Sequence, residues 1–327
     1  MKTRTFGKTG WTVGEVGFGA WQIGAEWGEV SDEDASSTLH AALDAGITLF
    51  DTADVYGDGL SERRLAKFRS ERSEPFHIIT KTGRRCDPHT SGEYNKTNLN
   101  AFVDRSRQNL GVEVLDLVQL HCPPPDVYEG TEQFEIMDAM VAAGKIQYWG
   151  VSVEKISEAE LALAWPTLTS IQVIFNAFRQ RPARELLGHA ARKNVAIIAR
   201  VPLASGLLAG KMTAETTFGS DDHRNYNRDG QAFDVGETFA GVPFEAGLEA
   251  VDALRPLVPE GASMAQWALR WILMHEEVTA VIPGARNPQQ AADNAAASDL
   301  PPLNGDDMAA VRNMYDRYIR AHVHERW

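Results

Sequence analysis

Eight short apolar runs recur along the chain, each followed by a stretch of helical period, and that alternation restricts it to an α/β fold built on a parallel sheet. Runs such as ITLFD, FHIITK and LDLVQLH place Ile, Leu, Val and Phe on successive positions, so both faces of each strand are expected to be buried. The expected strands cover 15–19, 47–51, 76–81, 115–121, 146–152, 171–175, 195–199 and 279–282. Eight parallel strands close on themselves, which makes a (β/α)8 TIM barrel the expected fold in preference to an open sheet. Residues 2–14, with KTRTF and WTV around GKTG, read as a β-hairpin that plugs the base of the barrel. No GxGxxG follows the first strand, so the glycine turn of an open-sheet dinucleotide site is missing.

Local signals place the helices. Ser31 reads as an N-cap with Asp34 three residues on, and Gly46 as the stop. Further helices are expected near 60–70, 97–110, 131–143, 154–164 and 182–193, the second and third ending at Gly111 and Gly144. Residues 212–242 have no regular period and are rich in Asp, Asn, Arg and Gly, as a lid or binding loop would be. An added helix is expected over 244–257, and one over 263–277 whose Met264, Trp267, Trp271 and Met274 stripe reads as core packing.

With 327 residues and no Pro/Gly/Ser-rich linker, the chain is expected to form one barrel domain spanning 1–327. A formal net charge of −13 argues against nucleic acid or an anionic membrane as partner. Cys86 and Cys122 are too few for a disulfide scaffold and fit free thiols in a reducing compartment. The opening MKTRTFGKTGW has no apolar targeting core and no run reaches membrane-spanning length, so a cytoplasmic protein is expected.

The chemistry concentrates where strands end. Asp51, Lys81 and His121 close three successive strands and Tyr56 follows the first of them, so all four face one barrel mouth, where active sites of such folds lie. A free phenol holds its proton to a pKa of about 10, too high for easy transfer at neutral pH. A lysine ammonium beside it stabilises the phenolate, a carboxylate keeps that lysine charged, and a histidine orients a substrate oxygen. Together these groups suit protonation of an oxygen that gains negative charge, as when hydride adds to a carbonyl. A metal site is not expected, because no second imidazole or cysteine stands at ligand spacing. Each residue alone also fits a structural role: a loop cap, a surface charge, a packed aromatic, a core histidine. Their convergence carries the reading. A barrel lysine also admits a Schiff-base aldolase with Lys81 as nucleophile, and a nucleotide-holding regulatory barrel with little turnover is a third possibility.

The motifs FDTADVYGDGLSE, the TK of FHIITK, LDLVQLH, GVSV, VPLASGLLAGK and VIPGARNPQQAADN resemble those of the aldo-keto reductase family, in order, from the opening strand to about residue 297. The resemblance implies a (β/α)8 barrel, NADP(H) as cofactor and an aldehyde, ketone or alcohol as small-molecule partner; no feature fixes an oligomeric state. It implies a catalytic tetrad of Asp51, Tyr56, Lys81 and His121, with Tyr56 as proton donor in reduction and base in the reverse. It assigns Ser152 and Gln172 to the nicotinamide carboxamide, and Pro202, Leu203, Gly206 and Lys211 to the pyrophosphate loop. Gly284, Arg286, Gln290, Asp293 and Asn294 fall at the adenosine end, where Arg286 suits the extra phosphate of NADP.

Two positions depart from the family pattern. Val153 stands where an asparagine is usual, and Arg200 replaces the aromatic residue that stacks on the nicotinamide. The guanidinium is expected to stack on the ring or turn to the pyrophosphate, and stacking beneath a cationic nicotinamide would bring like charges together and favour NADPH over NADP+. Substrate contacts are expected from Trp21, Tyr56 and His121. Trp27, Phe175, Phe178, His89, His223, Arg224 and the disordered-looking tail HVHERW are further candidates.

Overall fold

The computed structural model describes residues 1–24 and 30–327; Trp27 lies outside them. The hairpin forms as expected, with β1 (Thr3–Phe6) and β2 (Trp11–Gly14) antiparallel and Phe6 opposite Trp11. Gly10 closes its turn at φ 72°, in the left-handed region that glycine enters without steric cost.

Eight parallel strands follow: β3 (Phe18–Gly19), β4 (Leu49–Asp51), β5 (His77–Thr82), β6 (Leu115–His121), β7 (Ile146–Ser152), β8 (Ser170–Ile174), β9 (Ala196–Arg200) and β10 (Val278–Val281). They pair in chain order from β3 to β10. Parallel bridges from Val16 to Val281 and from Gly19 to Gly284 join the two ends and close the barrel. The strand limits coincide with the expected ones at β6 and β7 and differ by one or two residues elsewhere, except at the first, where only two residues keep regular pairing.

Inside the barrel, side chains alternate with period two and change character along the axis. Leu49, Ile79, Leu117, Ala196, Ile198 and Ala280 pack against Phe6 and Val13 of the hairpin, so the base is an apolar plug. Two residues on, the same faces of β4, β5 and β6 present Asp51, Lys81 and Gln119. Gly150 leaves room in this layer: a Cβ there would lie 2.2 Å from Ser170 Oγ. A larger apolar core lies between strands and helices and includes Phe50, Phe68, Trp149, Trp267 and Trp271.

Helix Asp32–Asp44 begins where Ser31 accepts the Asp34 amide, and Lys96–Leu110 ends on Gly111 in the left-handed region. Helix Met264–Leu273 is held by a reciprocal Ser263/Gln266 cap and buries Met264, Trp267 and Trp271, while Met274 is only partly covered. The expected helix over 182–193 is broken into Arg181–Glu185 and Leu187–Arg192; at the junction Leu186 is stretched to φ −119°, ψ −49° and is fully buried.

The tail is the main correction. Instead of disorder, residues 305–323 form Gly305–Met314, a π-turn Tyr315–Ile319 and Arg320–Val323, with Val311, Met314, Tyr315, Ile319 and Val323 buried. Trp327 is buried too: its indole donates to Asp234 (3.0 Å), stacks under Arg179 (3.9 Å) and fills the space beside Gly241. The polar letters of HVHERW hide this because its apolar partners are distant in the sequence.

Candidate active site

The carboxyl ends of the strands open into a cavity of about 380 Å³. At its floor Lys81 Nζ donates to Asp51 Oδ2 (2.6 Å) and to the Thr52 carbonyl (2.8 Å), and stands 3.5 Å from the Tyr56 hydroxyl. Lys81 is 1% exposed, behind Tyr56 and Asp51, which line the cavity. Parallel register sets the constellation: Gly19 pairs with Asp51, and His121 with Ser152, at one level of the barrel. The imidazole of His121 meets the Tyr56 ring edge to face at 6.0 Å, and its Nδ1 has no hydrogen-bond partner among the described residues. The structure therefore brings the four expected residues together.

Their electrostatics differ from expectation at one point. Burial pushes the Tyr56 phenol well above its usual range, with Asp51 and Glu237 adding to the effect and Arg84 and Arg200 opposing it. A neighbouring ammonium alone does not acidify this phenol; it stays protonated at neutral pH. Burial also pulls Lys81 down, against Asp51, and raises Asp51, against Lys81. His121 is held well below its ordinary value, first by burial and then by Arg84, Lys81 and Arg200, so the ring is neutral.

Beyond the tetrad, Asp51 Oδ1 accepts the amide of Gln172 (2.7 Å), which also donates to Gln119 (3.1 Å). Both amide protons of Gln172 are thus committed and its carbonyl alone is left to accept. Gln119, absent from the expected set, donates in turn to Ser170 Oγ. A lone polar residue in LDLVQLH was the signal for it. Ser152 and Gln172 line the cavity.

The loop after β9 supplies Pro202, Leu203, Gly206 and Lys211 to the wall, together with Ser205 and Glu237, which sequence reasoning did not single out. Across from it, Gly284 leads into helix Pro288–Ala296. There the Arg286 amide donates to Gln290 Oε1 (2.9 Å) and Asn294 Nδ2 to the Gly284 carbonyl (3.1 Å). Arg286, Gln290, Asp293 and Asn294 all line this end. An elongated anion fits such a cleft: Lys211, Arg224 and Arg286 stand on its walls, and a Cβ at Gly206 (φ 97°) would press on Met212 at 2.9 Å.

Arg200 lines the cavity, but its guanidinium is engaged by neighbouring acceptors instead of being left to stack on a ring or turn to a pyrophosphate. It donates to the Val153 carbonyl (2.9 Å) and Glu154 (3.0 Å), and its other amino group ion-pairs with Glu237. Arg84 closes a second bridge to Glu154 (3.1 Å) and Glu237 (3.8 Å). Two guanidinium groups thus balance two carboxylates beside Cys122, and the like-charge argument for favouring NADPH loses its basis.

Trp21 stacks on Tyr56 (5.8 Å, 17°) and lines the cavity. His223 is fully buried against Trp21, and Arg224 lies in the wall, held by Asp222. Phe175 and Phe178, just past the end of β8, are fully buried and do not line the cavity; Phe175 packs against Trp271 and His275. His89 bonds Tyr94 instead of reaching the cavity. Among the described residues no helix is long and apolar enough to cross a membrane.

Comparison with known proteins gives the family. The model of the Aldo/keto reductase family matches residues 15–316. The chain is 31% identical to aldo-keto reductase YhdN of Bacillus subtilis, over 98% of this chain and 95% of that one. It is 26% identical to the aldo-keto reductase yakc [NADP(+)] of Schizosaccharomyces pombe, over 91% and 86%. The solved glycerol dehydrogenase of Gluconobacter oxydans superposes with a TM-score of 0.77 at 29% identity, covering 97% and 95%.

Proposed function

Since the chain belongs to the aldo/keto reductase family, we propose that it is an NADP(H)-dependent oxidoreductase that reduces an aldehyde or ketone to an alcohol, or runs the reverse, with Tyr56 as proton donor. The observation that carries this reading is the contact of Tyr56, Lys81 and Asp51 at the floor of a cleft whose far walls bear Lys211 and Arg286. The name of the fission-yeast relative, which includes NADP(+), supports the choice of cofactor.

When bound, the dihydronicotinamide supplies a hydride to the carbonyl carbon. The other roles belong to the chain. The carbonyl of Gln172 and the hydroxyl of Ser152 accept and donate to the carboxamide, and Lys211 and Arg286 hold the phosphates. Neutral His121 directs the carbonyl oxygen toward the phenol. As charge grows on that oxygen, Tyr56 passes it a proton, and the phenolate left behind faces the Lys81 ammonium. Asp51 keeps that ammonium charged and aimed. The closed shell around Lys81 weighs against an aldolase, whose lysine needs a free amine open to substrate.

The test is NADPH oxidation with a panel of aldehydes and ketones. We expect Tyr56→Phe to keep NADPH affinity, measured by fluorescence, while kcat falls by about two to four orders of magnitude. An unchanged kcat in that variant would remove Tyr56 from the chemistry.

A further inference from the structure

Glu237 is the one carboxylate of the charge-balanced cluster that reaches the cavity wall; Glu154 does not. It comes from the long loop after β9, its backbone carbonyl accepting from Ser205 Oγ (3.0 Å). One oxygen, Oε1, faces both guanidinium groups, Arg200 in direct contact and Arg84 at 3.8 Å. The other, Oε2, has no donor among the described residues, and it is not sealed from the cavity. Its neighbours on the wall include Tyr56 and His121, the groups that hold the reacting oxygen. By contrast, both oxygens of Asp51 are already taken, by Lys81 and Gln172. The substrate end of the cleft therefore offers two donors for a carbonyl oxygen and one unoccupied anionic acceptor.

Resting on the reductase reading above, we propose that Glu237 is a specificity-determining residue: its Oε2 accepts a hydrogen bond from a hydroxyl of the substrate, selecting neutral hydroxy-carbonyl compounds, or vicinal diols in the reverse direction, and rejecting carbonyls that carry a carboxylate. A hydroxyl supplies the missing donor, whereas a carboxylate brings only further acceptors to the same point. Arg200, Arg84, Glu154 and Glu237 together carry no net charge, so the discrimination rests on the acceptor that Oε2 presents at the wall and not on a surplus of negative charge.

The experiment compares isosteric substrates within one preparation, so that each ratio is independent of the amount of active protein. Hydroxyacetone, butan-2-one and pyruvate share a methyl ketone; glycolaldehyde, propanal and glyoxylate form the aldehyde set. For the parent protein, kcat/KM is expected to rank hydroxyl over alkyl over carboxylate. In Glu237→Gln, which keeps the shape and removes the charge, the hydroxyl-to-alkyl ratio should fall and the carboxylate-to-alkyl ratio should rise, each by about tenfold, the difference between a charge-assisted and a neutral hydrogen bond. Glu154→Gln removes the other carboxylate from Arg200 without touching the cavity wall, and both ratios should stay within about twofold of the parent. Unchanged ratios in Glu237→Gln, or equal shifts in both variants, would overturn the assignment, the latter by routing the effect through Arg200. Turnover of the alkyl compounds reports separately on the reductase reading; no turnover in either set would sink that reading and this inference with it.

Discussion

Asp54 stands two residues before Tyr56, fully buried, with both carboxyl oxygens lacking a partner among the described residues. Burial, reinforced by Glu62, lifts its pKa from 3.8 to about 8, although Arg85 and Arg105 oppose the shift. Between those values the native state binds a proton that the unfolded chain has released. The stability the group contributes is therefore present at low pH and is lost as pH rises toward 8. Asp54→Asn keeps the shape without that dependence. Thermal unfolding should show the variant gaining Tm relative to the parent as the buffer moves from about pH 5 to about pH 9. A difference in Tm that stays flat across that range would refute the assignment. Such a residue marks the limit of sequence reading at this scale. Asp51, Tyr56, Lys81 and His121 were legible because strand ends announce themselves, and Gln119 could have been found as the polar intruder in an apolar run. Asp54 is not legible in this way, because the burial that lifts its pKa, and the charges of Glu62, Arg85 and Arg105 that modify it, come from other elements of the chain.

At the scale of elements, the aperiodic stretch 212–242 was recognisable as a loop over the barrel mouth, but what anchors it was not. Its closing segment is fastened from outside by the chain's last residue: Trp327 bonds Asp234, and a Cβ on Gly241 would lie 2.4 Å from the indole. Arg181 holds the backbone carbonyls of His324 and Trp327 in the same cluster. Glu237 sits between these anchors and its ion pair with Arg200. Trp327→Ala should cost about 3 kcal/mol of stability, in line with other buried Trp truncations. Amide hydrogen exchange should quicken selectively over 234–241, and a uniform change across the barrel would show that the indole acts only as general packing. Neither the burial of the tail nor the split at Leu186 follows from local propensity. Both are decided by partners far along the chain, whereas Ser31, Gly46 and Gly111 read correctly because capping is a local event.

At the scale of the whole molecule, the barrel itself was the most legible feature, since eight unalternating strands in succession leave few other ways to bury their faces. Charge is where the global and local readings part. A chain of net charge −13 repels polyphosphates at a distance, yet Lys211, Arg224 and Arg286 all stand on the walls of the cavity. At physiological ionic strength charges are screened over about 8 Å, so a phosphate inside the cleft responds to those three side chains far more than to the acidic exterior. If Arg286 binds the phosphate that distinguishes NADPH from NADH, Arg286→Ala should weaken NADPH by about ten- to a hundredfold, the cost of losing hydrogen bonds to a charged group. NADH should be affected by less than about threefold, and raising salt from about 0.05 to about 0.5 M should weaken NADPH binding more steeply in the parent than in the variant. Fluorescence titration with both nucleotides at both salt concentrations measures all of this. Equal losses for NADPH and NADH would mean that Arg286 holds a part of the nucleotide common to both, and the discrimination would then have to come from Lys211 or Arg224.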